Sequence, residues 1–246
     1  MRAWSNAVYF TPKTFDFLRA LASNNNRAWF NDHKDDYEQH ARAPALRLIA
    51  DIAEPLAQIS PELRAIAKKV GGSLFRIHRD VRYSHDKSPY KTHIGIQFVH
   101  AATKAAPRSS GSGNADLGRL DAPGLYLHIE PGASFVGGGI WHPQPATLKR
   151  IRDDLVSNPV SWQQATRAPA FTEFFTLGGD ALKRPPRGYD PDHPLIDDLR
   201  RKDFIASCAL TDAEVLRTDL VALLIARYQR MAPMIDWLCG ALDLEF

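Results

Sequence analysis

The chain has 246 residues and a formal net charge of +3, and 44% of its residues are hydrophobic while 24% are charged. These values are typical of a globular protein and exclude an intrinsically disordered chain. The small charge does not by itself imply nucleic-acid binding. The length suits one large domain, and we predict a single domain over 1–246.

The chain shows no signals for export or membrane insertion. Its first residues lack the apolar segment of a signal peptide, and no window approaches the roughly 18 apolar residues of a membrane span. The two cysteines, Cys208 and Cys239, lack the spacing of metal ligands. We interpret both as buried side chains in a reducing compartment. Together these features predict a cytoplasmic protein without membrane association.

Hydrophobic periodicity predicts three helices near the N-terminus, over 14–22, 26–39 and 44–59. Five later segments alternate with the period of two that is typical of strands. These segments are 73–78, 91–100, 125–130, 134–141 and 203–210. Between the second and third strands, residues 101–123 contain almost no large apolar side chain, which predicts a mobile surface insertion. The run Gly137–Gly139 in the fourth strand indicates a bulge or a close approach by a ligand or backbone.

Helices return in the second half of the chain. We predict one from Pro145, one around Trp162 and one over 192–200. The segment 219–242 predicts two more helices, divided near Pro233. Helices, then hairpin-like strands, then helices indicate an α+β fold with an antiparallel sheet of about five strands flanked by N-terminal and C-terminal helices.

The basic excess is concentrated in residues 76–91, which carry five fixed positive charges and two negative ones. This local net charge equals that of the whole chain. Arginine recognises carboxylates and phosphates through two parallel hydrogen bonds, and lysine adds a point charge. We therefore predict that this region lines an anion-binding cleft. Its predicted ligand-binding residues are Arg76, Arg79, Arg82, Lys87, Tyr90, Lys91 and His93.

The alternative is an internal network in which Asp80 and Asp86 pair with these cations and hold the loop on the sheet. A second basic group consists of Lys183, Arg184 and Arg187 in a predicted loop. It would complete one cationic pocket if this loop folded over the first group, and it is otherwise an exposed solubilising loop.

The strand 125–130 places His128 and Glu130 on one face, because alternate residues of a strand point the same way. A histidine and a carboxylate at this spacing suit general acid–base catalysis, and we predict both residues as catalytic. With His93 and His142 they could also hold a divalent metal. Histidines satisfied by hydrogen bonds are the favoured interpretation, so we assign no metal and no cofactor.

Longer motifs are spread over most of the chain. They are Phe15-x-Phe-Leu-x-x-Leu21, Asn24-Asn-Asn-Arg-x-Trp-Phe-x-x-His-Lys-x-x-Tyr37, Ser73-Leu-Phe-Arg-Ile-x-Arg-Asp-Val-Arg82, Asp86-Lys-x-Pro-Tyr-Lys-Thr-His93, Tyr126-x-His-x-Glu-Pro-Gly132, Gly137–Pro143 and Leu182-Lys-Arg-x-Pro-Arg-Gly188. This pattern resembles a bacterial and fungal family known as domain of unknown function 2461. The resemblance covers roughly residues 10–240 and implies one family domain, without implying an activity or catalytic residues.

Three functions remain open from the residues alone. The preferred one is a small-molecule enzyme or binding protein whose Arg/Lys-lined cleft takes a ligand bearing phosphate or carboxylate. The second is a nucleic-acid-binding module, because Phe75, Tyr83 and Tyr90 are interleaved with basic residues and could stack on bases. The third is a non-catalytic scaffold in which the Arg/Asp cluster is structural. The sequence does not predict the reaction or the oligomeric state.

Overall fold

The computed structural model describes residues 7–103 and 122–246. Within these residues, six strands form one sheet in which all neighbouring strands are antiparallel. The strands are β1 (Leu63–Arg64), β2 (Ile94–His100), β3 (Gly124–Ile129), β4 (Phe135–Ile140), β5 (Thr176–Gly178) and β6 (Phe204–Ala209). Their order across the sheet is β1-β2-β3-β4-β6-β5. The predicted α+β class is confirmed, with one strand more than expected.

Helices precede and follow the central strands. They are α1 (Pro12–Ser23), α2 (Arg27–Asp32), α3 (Lys34–Tyr37), α4 (Ala43–Ala57), α5 (Pro145–Ser157), α6 (Pro159–Arg167), α7 (Pro169–Thr172), α8 (Ile196–Leu199), α9 (Asp212–Val215) and α10 (Leu220–Gly240). A π-helical turn, Glu38–Arg42, joins α3 to α4. None of the helices in the described residues combines the length and the apolar character needed to cross a membrane.

The segment predicted as a first strand, 73–78, is extended but does not form a continuous ladder. It makes two isolated bridges, Leu74 to Ile96 and His78 to Tyr90. Strands β1 and β5 were not expected from the pattern, because two or three residues carry no measurable alternation. Of the predicted insertion 101–123, residues 104–121 lie outside the part of the chain that the structure describes.

The two faces of the sheet carry different side chains. On one face the fully buried Ile96, Leu127, Val136 and Phe204 belong to the hydrophobic core. Helix α4 contacts β2 on this face, and α10 contacts β4 and α4. The residues that alternate with them are small, aromatic or titratable, and they face a cleft. The period of two in each strand thus separates the core from the candidate site.

Two glycines of β4 allow close packing that a side chain would prevent. A Cβ atom on Gly138 would lie 2.5 Å from the Met231 sulfur of α10. Gly139 has a φ of +121°, and a Cβ there would lie 2.0 Å from the carbonyl oxygen of Phe204 in β6. Gly138 is therefore approached closely by a core side chain, and Gly139 by the backbone of the neighbouring strand.

The prediction that Pro233 divides the C-terminal segment is wrong, because α10 is continuous from Leu220 to Gly240. Proline removes one backbone hydrogen bond and strains the preceding turn. Pro233 lies on the exposed side, whereas Met231, Met234 and Ile235 around it are buried in the core. Apolar burial on both sides of the proline outweighs the lost bond, since helix stability in proteins comes mostly from packing.

Candidate functional site

A cleft of about 1120 Å³ opens on the sheet face opposite α4 and α10, with the end of α1 at its wall. Its floor includes Tyr126 and His128 of β3 and Phe135 of β4, with Trp141 just beyond β4. Glycines and other small residues fill much of the remaining floor, so the backbone itself is accessible there. These are Gly124, Gly137, Gly138, Gly139, Gly178, Gly179, Ala206 and Ser207.

A chain of hydrogen bonds runs along β3 at one end of the cleft. Tyr126 Oη lies 3.2 Å from His128 Nδ1, and His128 Nε2 lies 3.0 Å from Glu130 Oε2. The hydroxyl of Thr92 donates to Glu130 Oε1 at 3.3 Å. A neutral His128 protonated on Nε2 satisfies the chain, because Nδ1 then accepts from Tyr126 and Nε2–H donates to Glu130. The predicted pair of His128 and Glu130 is therefore in direct contact, and Tyr126 extends it.

His93, the residue immediately before β2, joins this group from the neighbouring segment of the chain. Its ring centroid is 4.2 Å from that of His128. Burial, with a smaller contribution from neighbouring His128, lowers the pKa of His93 to about 4. His93 is therefore neutral near pH 7. Burial also raises the pKa of the Tyr126 phenol, which keeps this group protonated.

Of the seven ligand residues predicted in and beside the basic segment 76–91, four line the cleft and three do not. Arg79, Tyr90, Lys91 and His93 lie in its wall. Among the residues that the structure describes, Arg76, Arg82 and Lys87 are outside the cleft lining. The basic segment thus borders the cleft along one side and does not surround it.

The cations of this segment have partners inside the segment. Arg79 forms an ion pair with Asp86, and Arg82 Nε donates to Asp80 Oδ1 at 2.9 Å. Lys87 Nζ donates to the carbonyl oxygen of Val81 at 2.9 Å. Hydrogen bonds from Arg82 lower the pKa of Asp80 to about 2. The pKa of Asp86 is likewise lowered, by hydrogen bonds from Ser88 and Arg79. The Arg/Asp pairing of the alternative interpretation is present, although these ion pairs join residues of the loop to one another and not the loop to the sheet.

The second basic group lies away from the cleft. Lys183, Arg184 and Arg187 are exposed, and none of them lines it. The carbonyl oxygen of Lys183 accepts a hydrogen bond from Arg200 at 2.8 Å, which ties the backbone of this loop to the end of α8. The two basic groups therefore do not form one pocket in this structure.

His142, considered as a metal ligand with His128, is held at the opposite rim of the cleft instead. The buried carboxylate of Asp203 accepts from the His142 backbone N–H at 2.7 Å through Oδ1. Its Oδ2 accepts from the Asp180 backbone N–H at 2.8 Å. His142 has a φ of +50°, a conformation that non-glycine residues rarely adopt. Asp203 thereby fixes the two segments that carry Trp141 and Gly179 into the rim.

Two residues of the site were missed from the sequence. Tyr126 could have been found, because it shares the period of two with His128 and Glu130. Gln97 of β2, which is only 8% exposed and lines the cleft, carries no such signal. Within the described part of the chain, its side-chain nitrogen has no hydrogen-bond partner, so a ligand acceptor could take that position.

The fold and the cleft define an α+β protein with a group of titratable side chains on the open face of an antiparallel sheet. The sequence model of the family described as "Conserved hypothetical protein (DUF2461)" matches residues 13–237. The chain belongs to this family, as its motifs indicated. No curated protein and no solved structure matches the chain.

Proposed function

We propose that this protein is an enzyme that binds a small molecule bearing a carboxylate or phosphate in the cleft and removes a proton from it. The observation that carries the proposal is the hydrogen-bonded chain of Tyr126, His128 and Glu130 in the cleft. A cleft with a few convergent polar groups, including a base oriented by a carboxylate, is the usual form of a small-molecule active site.

The chain can relay a proton with its charges balanced. The substrate's proton passes to Tyr126 Oη while the phenol proton moves to His128 Nδ1. The resulting imidazolium remains hydrogen-bonded through Nε2 to Glu130, which stabilises its positive charge. The substrate is left as the conjugate base. Glu130 thus acts on the substrate through His128, and Tyr126 is the group that contacts it.

Arg79 and Lys91 supply positive charge in the cleft wall. Asp86 and Ser88 both bind Nη1 of Arg79. A guanidinium has five N–H donors, so its other nitrogens can bind a carboxylate or phosphate without breaking these bonds. Gln97 adds a neutral donor on the cleft floor. Asp80 and Asp86 lie in the same wall, so its acidic and basic side chains balance. An anionic ligand would therefore be held by hydrogen bonds from Arg79, Lys91 and Gln97 and not by a net positive charge.

No specific observation favours nucleic-acid binding over this function. Of the aromatic residues considered for base stacking, Tyr90 is 4% exposed and its ring is stacked on Phe30 at 4.0 Å. Tyr83 is 72% exposed, but Phe75 packs against Tyr126 with ring centroids 5.8 Å apart. A row of accessible aromatic rings, which single-strand binding uses, is therefore not formed by these residues.

The test is a thermal-shift screen of the full chain against carboxylates and phosphates, followed by variants. A bound anion at about 100 times its Kd stabilises the protein by about 2.7 kcal/mol. We expect Arg79→Gln to reduce the ligand-induced shift, measured from the variant's own melting temperature. Arg184→Gln, which changes an exposed arginine outside the cleft, is the matched control. Equal shifts in the two variants, or no stabilising anion, would contradict the proposed function.

Tyr126→Phe tests the relay separately from binding. It removes one oxygen and leaves the ring in the cleft floor. We expect the same anions to bind to the variant while exchange of the bound ligand's acidic proton with solvent deuterium slows by at least roughly a hundredfold, the usual contribution of a general base. An unchanged exchange rate would show that Tyr126 does not transfer the proton.

A further inference from the structure

Three potential metal ligands meet at the same end of the cleft because of the strand register. Ile94 of β2 pairs with Ile129 of β3, so His93 and Glu130 directly flank this pair. His128 lies opposite Gly95. Because glycine has no side chain, Gly95 leaves the space beside the His128 ring open towards His93. One ligand atom from each of His93, His128 and Glu130 lies within 4.8 Å of the other two. Two adjacent antiparallel strands thus present two imidazoles and a carboxylate to one point.

We propose that His93, His128 and Glu130 bind one divalent transition-metal ion. Two imidazole nitrogens and one carboxylate oxygen suit ions from Mn²⁺ to Zn²⁺, whereas Mg²⁺ and Ca²⁺ prefer oxygen ligands alone. Three protein ligands leave coordination positions open, which is typical of catalytic and not of structural sites. From the sequence alone, histidines satisfied by hydrogen bonds were favoured over a metal site. The position of His93 beside His128 and Glu130 now favours the metal site.

The distances are compatible with a common ion after small side-chain movements. Two ligand atoms each about 2.1 Å from a tetrahedral ion are about 3.4 Å from one another. His128 Nε2 and Glu130 Oε2 are already 3.0 Å apart. All separations in the group are within 4.8 Å, so none would have to shorten by more than about 1.4 Å. The side chain of Glu130 is 35% exposed, so it has space for such an adjustment.

The groups behind the ligands are those that metal sites use for orientation. With Nε2 on the ion, Nδ1 of His128 carries the ring proton and can donate it to Tyr126 Oη, which lies 3.2 Å away. The Thr92 hydroxyl donates to Glu130 Oε1 at 3.3 Å and leaves Oε2 for the ion. Ser134 Oγ bonds to both the N–H and the carbonyl oxygen of Glu130, at 3.1 and 2.9 Å. Partners of this kind fix ligand orientation.

The metal site goes beyond the proposed function: it rests on the same cleft, but a bound ion excludes the proton relay. A bound ion would take an oxygen of the anionic ligand at an open position and act as a Lewis acid. The relay through Nδ1 of His128 would then belong to the metal-free protein, because the ring proton points to Tyr126 when the ion is bound. Metal content therefore decides which chemistry the site performs.

The experiment uses the full chain, stripped of metal by a chelator and titrated with Co²⁺ and Zn²⁺. Calorimetry gives stoichiometry and affinity, and the visible absorption of Co²⁺ reports its ligand geometry. We expect one ion per chain. We expect His93→Ala and Glu130→Gln each to weaken binding by at least about tenfold, since even the loss of an orienting partner has this effect. His85→Ala, at an exposed histidine outside the cluster, should leave the affinity unchanged.

Several outcomes would overturn the inference: absence of stoichiometric binding, equal binding of Mg²⁺, or affinities in His93→Ala and Glu130→Gln that match His85→Ala. A circular-dichroism spectrum and melting curve of each variant show that it is folded. Inorganic phosphate is then added to the stripped protein and to the Co²⁺ form, as the probe for the proposed function. Phosphate stabilisation without metal binding would refute only the metal site. Metal binding without any stabilising anion would refute only the anionic substrate.

Discussion

Asp203 provides the sharpest test of how the rim of the cleft is built. Its side chain is 1% exposed, and its two oxygens accept backbone N–H groups from two different segments, at His142 and Asp180. Asp203→Asn keeps the shape of the side chain but replaces one acceptor oxygen with an NH₂ donor. In either orientation the new NH₂ group, which is buried with the side chain, faces a backbone N–H donor.

The expected loss of stability in Asp203→Asn follows from these two hydrogen-bond donors facing each other. A buried polar group left without a hydrogen-bond partner, here the side-chain amide, costs about 1–3 kcal/mol. We therefore expect Asp203→Asn to lower the free energy of unfolding by about 2 kcal/mol. At about 2–4 °C per kcal/mol for a chain of this size, the melting temperature should fall by about 4–8 °C. The left-handed backbone of His142 makes compensation by a shift of that segment difficult, since this conformation is held by the bond to Asp203.

The assay is chemical or thermal denaturation of the variant beside a matched control. Asp197→Asn makes the same chemical change at a side chain that is 88% exposed and paired with Arg200. We expect the control to change stability by less than about 0.5 kcal/mol, as is usual for surface substitutions. If Asp203→Asn melted at the same temperature as Asp197→Asn, the carboxylate would not be fixing the rim, and the reasoning would be wrong.

Three further predictions concern the basic loop, the cleft floor and α10. The pKa of Asp80 is lowered to about 2, so its pair with Arg82 stabilises the fold fully above about pH 4 and this contribution is lost as the pH falls through 2. In Arg82→Gln, an NMR titration should show the pKa of Asp80 returning towards its usual value. An unchanged pKa would contradict the pairing. In Gly95→Ala the new Cβ would lie 2.8 Å from Tyr126 Oη and from the Phe75 ring, which should displace the phenol. The nitrogen NMR shifts of the His128 ring should then show that its hydrogen bond with Tyr126 is lost. Unchanged shifts would mean that the cleft floor accommodates a methyl group. Pro233→Ala restores a backbone N–H within α10 and should raise stability by about 1–2 kcal/mol, which a melting temperature equal to or below the parent's would refute.

The sequence located the strands long enough to show alternation. Segments 91–100, 134–141 and 203–210 contain β2, β4 and β6, and segment 125–130 covers β3 except for its first residue, Gly124. It could not locate β1 and β5, whose two and three residues are strands only because a neighbouring strand supplies their hydrogen bonds. The sequence pattern also predicted two helices divided at Pro233 where there is one, since local propensity does not include the packing of the residues around the proline.

The site was predictable only as far as its residues lie on one strand. His128 and Glu130 follow from the period of two, and the same rule would have added Tyr126. His93 comes from another strand, so its contact with His128 depends on the β2–β3 register, which no local pattern specifies. The sequence offered the pairing of Asp80 and Asp86 with neighbouring cations only as an alternative, although each pair lies within seven residues. Pairing of that kind removes most of the free charge that the composition of the segment implied.

The two faces of the sheet carry different side chains, and this difference explains why His128 and its hydrogen-bonded partners remain accessible from the cleft. Large apolar residues such as Leu127 and Val136 point to α4 and α10, where their burial stabilises the fold. The opposite face combines Gly137, Ser207 and other small residues with the rings of Tyr126, Phe135 and Trp141, so a helix packed there would meet an uneven surface. It would also leave His128 and its partners desolvated, which is unfavourable for polar groups. The open face and the titratable cluster are therefore two results of one alternation, and filling the floor with larger apolar side chains should close the cleft before it disrupts the core.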